Sequence, residues 1–276
     1  MKFKKYLSFT RCGFLDGCAN RMGFLTGMLS NFIQIAVLYF VWKSIFQYQE
    51  IVNGFTWPIM KNYVFASFLC NSMLSFGFEL DTAKKIIRGD FIMDLLKPVH
   101  YRRMLFFRML GTAGMEGSLT LIFTGILYYA SHITRTPAGT LALEASQTLS
   151  LWQLLLFLIS LLAGQIIKFS IQYLFSLLCF YTDNAYGVVK AREVLSSFLS
   201  GALIPLSMFP PACQTLLHLL PFQGIVFIPC SIFTGAFTKT QALQSVLFQL
   251  FWIVILWIWG SLAWKKACAA LSLYGG

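Results

Sequence analysis

Residues 79–108 read ELDTAKKIIRGDFIMDLLKPVHYRRMLFFR, a polar and strongly basic segment in a chain otherwise built of apolar runs. Seven of the 21 Lys and Arg residues lie here: Lys84, Lys85, Arg88, Lys97, Arg102, Arg103 and Arg108. Inside the basic flanks sits a short mixed stretch from Asp90 to Lys97, framed by Gly89 and Pro98. Its surroundings decide the fold. Apolar residues make up 58% of the 276-residue chain and charged residues only 11%, whereas soluble domains carry roughly a quarter charged. The apolar runs reach or approach the roughly 20 residues that cross about 30 Å of hydrocarbon. They are long and continuous, unlike the alternating segments of about ten residues in a membrane barrel. The chain therefore reads as an all-α integral membrane protein forming a single transmembrane domain over 1–276.

Working outward, crossings are expected at about 23–45, 59–79, 106–130, 150–181, 188–207 and 240–263. The second carries Lys61, Asn62, Ser67, Asn71, Ser72 and Ser75, so its polar stripe should face other helices or a cavity. The run 150–181 exceeds one bilayer thickness, either as one protruding helix or as a crossing whose outer end lies flat. Residues 131–149, with Pro137 and Gly139, read as a polar connection, and Asp183 with Asn184 as part of a short break. Residues 208–238 are apolar but broken by Pro210, Pro211, Pro221, Gly224, Pro229 and Gly235, which predicts two short helices that dip in and return. Residues 1–22 can form an amphipathic helix at the interface, with Phe3, Tyr6, Leu7, Thr10, Phe14 and Leu15 at helical spacing and Gly13 and Gly17 weakening it. No cleaved signal peptide is expected, because no long apolar core precedes a small-residue cleavage site.

The net charge of +11 follows the ends of apolar segments. Basic groups at the N-terminus, in 79–108, at Lys190 and Arg192, and at Lys265 and Lys266 alternate with connections holding only Arg135 and Lys239. Six crossings with both termini in the cytosol satisfy the positive-inside bias. This patterning argues for contact with membrane lipid and against nucleic acid. The seven cysteines show no CxxC and no Cys/His cluster, which argues against a metal site. No Ser/His/Asp or Cys/His arrangement stands out, so no catalytic residue is assigned. His100 reads as solvated, and His132 and His218 as isolated.

Within the cytosolic loop, Asp90 is placed to cap a short helix over 91–96 that Pro98 stops. Phe91, Leu95 and Ile92 fall at spacings that bring them to one face. Two readings stand: a turn lying on the chain's own bundle, or a small helix inserted into a groove on a soluble partner. Glu116 falls midway along the third crossing, where a carboxylate costs on the order of 3 kcal/mol, so it should face protein or water. Like Asn71, it is either a polar contact in a substrate path or a helix-packing contact. Lys168 is placed near the inner face, where its stem can snorkel. Cys213 and Cys230 both fall in 208–238, and a disulfide between them would clamp its two arms; spacing alone fixes no geometry.

The stretch RGDFIMDLLKP at 88–98 resembles the Arg-Gly-x-[Phe/Leu]-x-x-x-Leu-Leu-[Lys/Arg]-Pro signature of small ABC-2 type transporter permeases, the membrane subunits of bacterial ATP-binding-cassette exporters. LSGALIPLSMFPPACQTLLHLLPFQGIVFIPCSIFTG at 199–235 resembles the Ser-Gly, Ile-Pro-Leu, Phe-Pro, Leu-Pro-Phe pattern that follows the fifth helix of that family. The resemblance implies a type V exporter-like fold of six crossings. It makes Asp90, Phe91, Ile92, Asp94, Leu95 and Leu96 the coupling helix seated on a separate ATPase, with 80–105 as the coupling loop. It makes 1–22 the connecting helix and 208–238 an external re-entrant hairpin. It further implies work in pairs, with an identical or a sister permease, in a bacterial cell membrane. ATP and Mg would be bound by the ATPase partner; this chain has no G-x-x-x-x-G-K-[ST] phosphate loop. The competing readings are a secondary transporter or channel without an ATPase, and a membrane-embedded enzyme. The first calls for related halves or a charge relay, the second for an intramembrane nucleophile or metal site.

Overall fold

The computed structural model describes residues 2–19, 21–72, 78–88, 90–133, 150–182 and 184–274. The expected 131–149 connection lies almost wholly outside them, as do Ser75, Gly89 and Asp183. Among the described residues the chain is helical apart from one hairpin. In order come α1 (Lys2–Ala19), α2 (Arg21–Tyr48), β1 (Ile51–Val52), β2 (Phe55–Thr56), α3 (Trp57–Ser72), α4 (Phe78–Arg88), α5 (Phe91–Leu95) and α6 (Tyr101–Ile133). Then follow α7 (Leu151–Leu178), α8 (Ala185–Leu199), α9 (Pro211–Leu219), α10 (Phe227–Phe233) and α11 (Lys239–Tyr274), with 3-10 turns at Leu206–Met208 and Pro221–Gly224.

Helix α7 is the axis of the bundle. One continuous helix fills the long 150–181 run, started by Gln153, whose side chain accepts from the Ser150 backbone N–H at 2.9 Å. Around it pack α11, α10, α4, α8 and α3. Its Gly164 permits a close approach: a Cβ there would lie 2.5 Å from the Gly224 carbonyl. Gln249 of α11 then stitches the layers, donating to that carbonyl at 2.7 Å and to the Ser160 carbonyl at 3.0 Å. The larger core joins α3, α7, α10 and α11 through residues such as Met60, Tyr63, Ile167, Leu206, Ile225 and Ile232.

Three described helices hold stretches long and apolar enough to cross a membrane: Tyr101–Tyr129, Leu151–Leu178 and Lys239–Ala269. Helix α2 spans 28 residues, and among its described residues Phe32–Tyr48 form an apolar stretch. Helix α8, at 15 residues or roughly 22 Å, is shorter than the apolar run that suggested the fifth crossing, and α3 is described over Trp57–Ser72. The chain leaves α8 at Gly201, whose φ of +81° favours glycine. Tyr63 seals this corner by donating to the Gly201 carbonyl at 2.7 Å. The broken 208–238 region contains the two short helices α9 and α10. Helix α10 is buried against α7 and α3, while Leu216 and Leu219 of α9 are exposed.

Helix α1 runs unbroken through Gly13 and Gly17, which bring it onto α6. A Cβ at Gly13 would lie 1.9 Å from the Arg108 carbonyl, and one at Gly111 the same distance from the Thr10 carbonyl. Contacts advance in the same sense along both helices, from Tyr6 stacked on Phe107 to Gly17 against Met115. Asp16 accepts from Arg108 at 2.7 Å. The hairpin was not foreseen. Asn53 and Gly54 take positive φ at its turn, and Ile51 pairs with Thr56 and Val52 with Phe55, as Asn-Gly between two short strands favours.

Candidate functional site

The loop helix α5 is too short to be stable alone, so its position is set by what it touches. Asp90 occupies the cap position with helical backbone angles, and its side chain makes no capping bond. The helix closes through Leu96 N–H donating to the Ile92 carbonyl at 3.1 Å, just before Pro98. Phe91 points inward and is 1% exposed. Its ring meets Tyr101 at 5.0 Å, Phe180 at 5.1 Å and Trp264 at 6.2 Å between centroids. This corrects the expectation that Phe91 shares an outer face with Leu95. Phe91 is spent on the chain's own bundle; the outward apolar residues are Ile92, Met93, Leu95 and Leu96, at 61%, 67%, 41% and 74% exposure.

Asp94 also turns inward. It accepts from Lys85 of α4 at 2.7 Å and from Lys97 at 2.6 Å. Burial on its own would raise its pKa, but the bonds from Lys85 and Lys97 outweigh that and hold the carboxyl below its ordinary value. The lysines so engaged are no longer purely topological.

Arg102 is a larger departure. The basic cluster reads as surface charge, and Arg103 and Arg108 are exposed, but Arg102 is buried. Its guanidinium lies over the Trp257 ring at 3.8 Å and the Tyr173 ring at 4.9 Å. It donates to the carbonyls of Trp257 at 2.7 Å and Leu256 at 3.4 Å, and to Ser170 Oγ at 3.4 Å. Gly260 provides the opening, since a Cβ there would stand 2.6 Å from an Arg102 nitrogen. A second buried charge contact joins α4 to α8, where Arg192 donates to Glu79 at 2.7 Å.

The polar residues of the expected second crossing have local work. Two residues of α7 a turn apart reach backbone carbonyls of α3: Gln165 donates to the Cys70 carbonyl at 2.9 Å, and Lys168 to the Asn71 carbonyl. Lys168 is therefore buried in a helix–helix contact and does not snorkel. Asn71 belongs to that contact. Glu116 is half-buried on α6, apart from it in sequence and element. Cys213 is exposed on α9 and Cys230 is buried in α10 beside the Cys70 thiol; both are free. The weighed Cys213–Cys230 bridge is absent because α10 turns Cys230 into the core. Among the described residues no group of His, Cys, Asp and Glu could hold a metal ion.

Long apolar helices around a buried aromatic and cationic junction, with a short loop helix presenting apolar residues outward, define an α-helical integral membrane protein. The chain belongs to the ABC-2 transporter family: the family model described as ABC-2 family transporter protein matches residues 32–275. It is accordingly a membrane component of an ABC transporter. No curated protein and no solved structure gave a significant match to the chain.

Proposed function

We propose that this chain is the permease subunit of an ATP-driven exporter, coupled through α5 to a separate ATP-binding-cassette ATPase and paired with a second permease, identical or sister. The observation that carries the reading is the outer face of α5. Ile92, Met93, Leu95 and Leu96 are all exposed while Phe91 and Asp94 hold the helix from behind. An apolar ridge on a helix fixed from its rear fits the helix-in-groove mode of recognition. ATP and Mg act in the partner. Binding there draws the ATPase subunits together and moves α5.

In this reading the chain crosses a bacterial cell membrane six times with both termini cytosolic, α1 is the connecting helix, and 208–238 is the external re-entrant hairpin. The exposed Arg103, Lys265 and Lys266 meet anionic headgroups. Asn71 serves packing, and Glu116 remains the polar candidate for the path. The test is co-purification with a co-expressed ATP-binding-cassette ATPase. Ile92→Asp with Leu96→Asp abolishes assembly while leaving the thermal stability of the permease unchanged. Retained assembly would sink the assignment.

A further inference from the structure

We infer that α11 is the helix the loop helix moves, and that Phe91 and Arg102 are the positioning residues that join them. This rests on the proposed reading of α5 as the ATPase contact.

Two connections lead away from α5, and they differ in stiffness. The link to α4 runs through Asp94, Lys85 and Lys97. Both lysines are substantially exposed, at 36% and 46%, so their long side chains can follow a displaced carboxylate. The link through Phe91 is of another kind. The ring is closed in by Tyr101 at the start of α6, Phe180 just beyond α7 and Trp264 of α11. Tyr101 in turn stacks on Trp264 at 5.1 Å with planes 13° apart. Close-packed aromatic contacts do not stretch; a ring either stays seated or leaves.

One residue further on, Arg102 carries the same link deeper. Its guanidinium is clasped between Trp257 and Tyr173 and bonded to two α11 carbonyls. Trp257, Gly260 and Trp264 recur at i, i+3 and i+7, so a single face of α11 receives both Arg102 and the Phe91 cluster. A displacement of α5 therefore pulls on the start of α6 and on this face of α11 together.

Helix α7 also touches the cluster, through Tyr173 and Leu177, but five helices pack on it and 56% of its apolar stretch is buried, against 22% in α11. Helix α11 packs along α7 on one side. Its other side exposes Leu243, Leu247, Leu250, Phe251, Val254 and Ile258. Lipid can rearrange around such a face, and with less of its length buried α11 is freer to tilt than α7.

The test uses the permease with its ATPase in lipid nanodiscs. Spin labels go on Leu243→Cys at the far end of α11 and on Leu155→Cys of α7, both exposed, after replacement of Cys12, Cys18, Cys213 and Cys268. Distances are compared without nucleotide and with vanadate-trapped MgATP. A shift of a few ångströms is expected with native Phe91. In Phe91→Ala the shift disappears in the fraction that carries the ATPase. Phe91→Leu, which keeps an apolar filler, restores part of it. Trp264→Ala, approached from the other side of the contact, matches Phe91→Ala, and it carries the comparison if Phe91→Ala does not fold. A full α11 shift in a variant that keeps its ATPase overturns the inference. Failure of the native permease to bind the ATPase overturns instead the reading on which it rests.

Discussion

Arg192 of α8 and Glu79 of α4 form an ion pair at 2.7 Å with side chains only 8% and 0% exposed. Glu79 Oε1 and Arg192 Nε are both buried without a hydrogen-bond partner. A pair held this way, with one bond and two unsatisfied atoms, is weak support for stability as a unit, because desolvation offsets most of the attraction. Either charge alone would be far worse. Glu79→Met or Arg192→Leu singly should therefore cost about 3–5 kcal/mol, while the two combined should be close to neutral. Thermal unfolding followed by fluorescence-detected gel filtration checks this. Two single variants whose losses simply add in the double would contradict it.

Asp94 sets a pH response on the loop. Its folded pKa lies below its ordinary value. A depressed carboxylate pKa stabilises the fold above the unfolded value, about 3.9, and that contribution fades as pH falls through the folded pKa. Lys85 and Lys97 are partly solvated, so the effect is about 1 kcal/mol or less. Hydrogen exchange at α5 should rise on acidification below about pH 4. Asp94→Asn should exchange faster already at neutral pH and lack the acid step. An acid step of equal size in Asp94→Asn would assign it to other groups.

The helical architecture was legible because hydrocarbon leaves the backbone few alternatives to the helix, and proline and glycine marked the interruptions. Helix ends were less so. Apolar composition continues past Leu199, and only the positive φ at Gly201 stops α8. Residue types mark the loop motif but do not say which of its faces turns inward. Phe91 and Leu95 are both apolar and one helical turn apart, and nothing local says which one Tyr101, Phe180 and Trp264 enclose. Arg102 and Arg103 are adjacent and chemically alike. One enters α11 and the other stays at the surface, and the difference is made by Gly260, more than 150 residues away. Gln249 and Gly164 were invisible for the same reason: their roles exist only between helices.

The cysteines give a chemical test of the 208–238 region. Cys213 is exposed and Cys230 is fully buried, so a maleimide should modify Cys213 in the native protein and reach Cys230 only after denaturation. Non-reducing mass spectrometry should find no peptide linking the two. A Cys213–Cys230 peptide would mean that α10 turns Cys230 outward, against its packing on α7 and α3.

The seat of α1 on α6 should depend on hydrogen in place of a side chain at two positions. At Gly13 an added Cβ would sit 1.9 Å from the Arg108 backbone oxygen, and a carbonyl in mid-helix cannot yield as a flexible side chain would. Helix α1 must lift away, separating Tyr6 from Phe107 and Asp16 from Arg108. Gly13→Ala and Gly111→Ala should each cost about 1–3 kcal/mol. Gly27, with nothing within 4 Å of an added Cβ, is the control, and Gly27→Ala should be neutral or slightly stabilising through helix propensity. Limited proteolysis in detergent reads this directly: cleavage near Lys5 and Arg11 should accelerate in the first two variants and not in the third. Equal cleavage in all three would show that α1 is held by something other than its close crossing with α6.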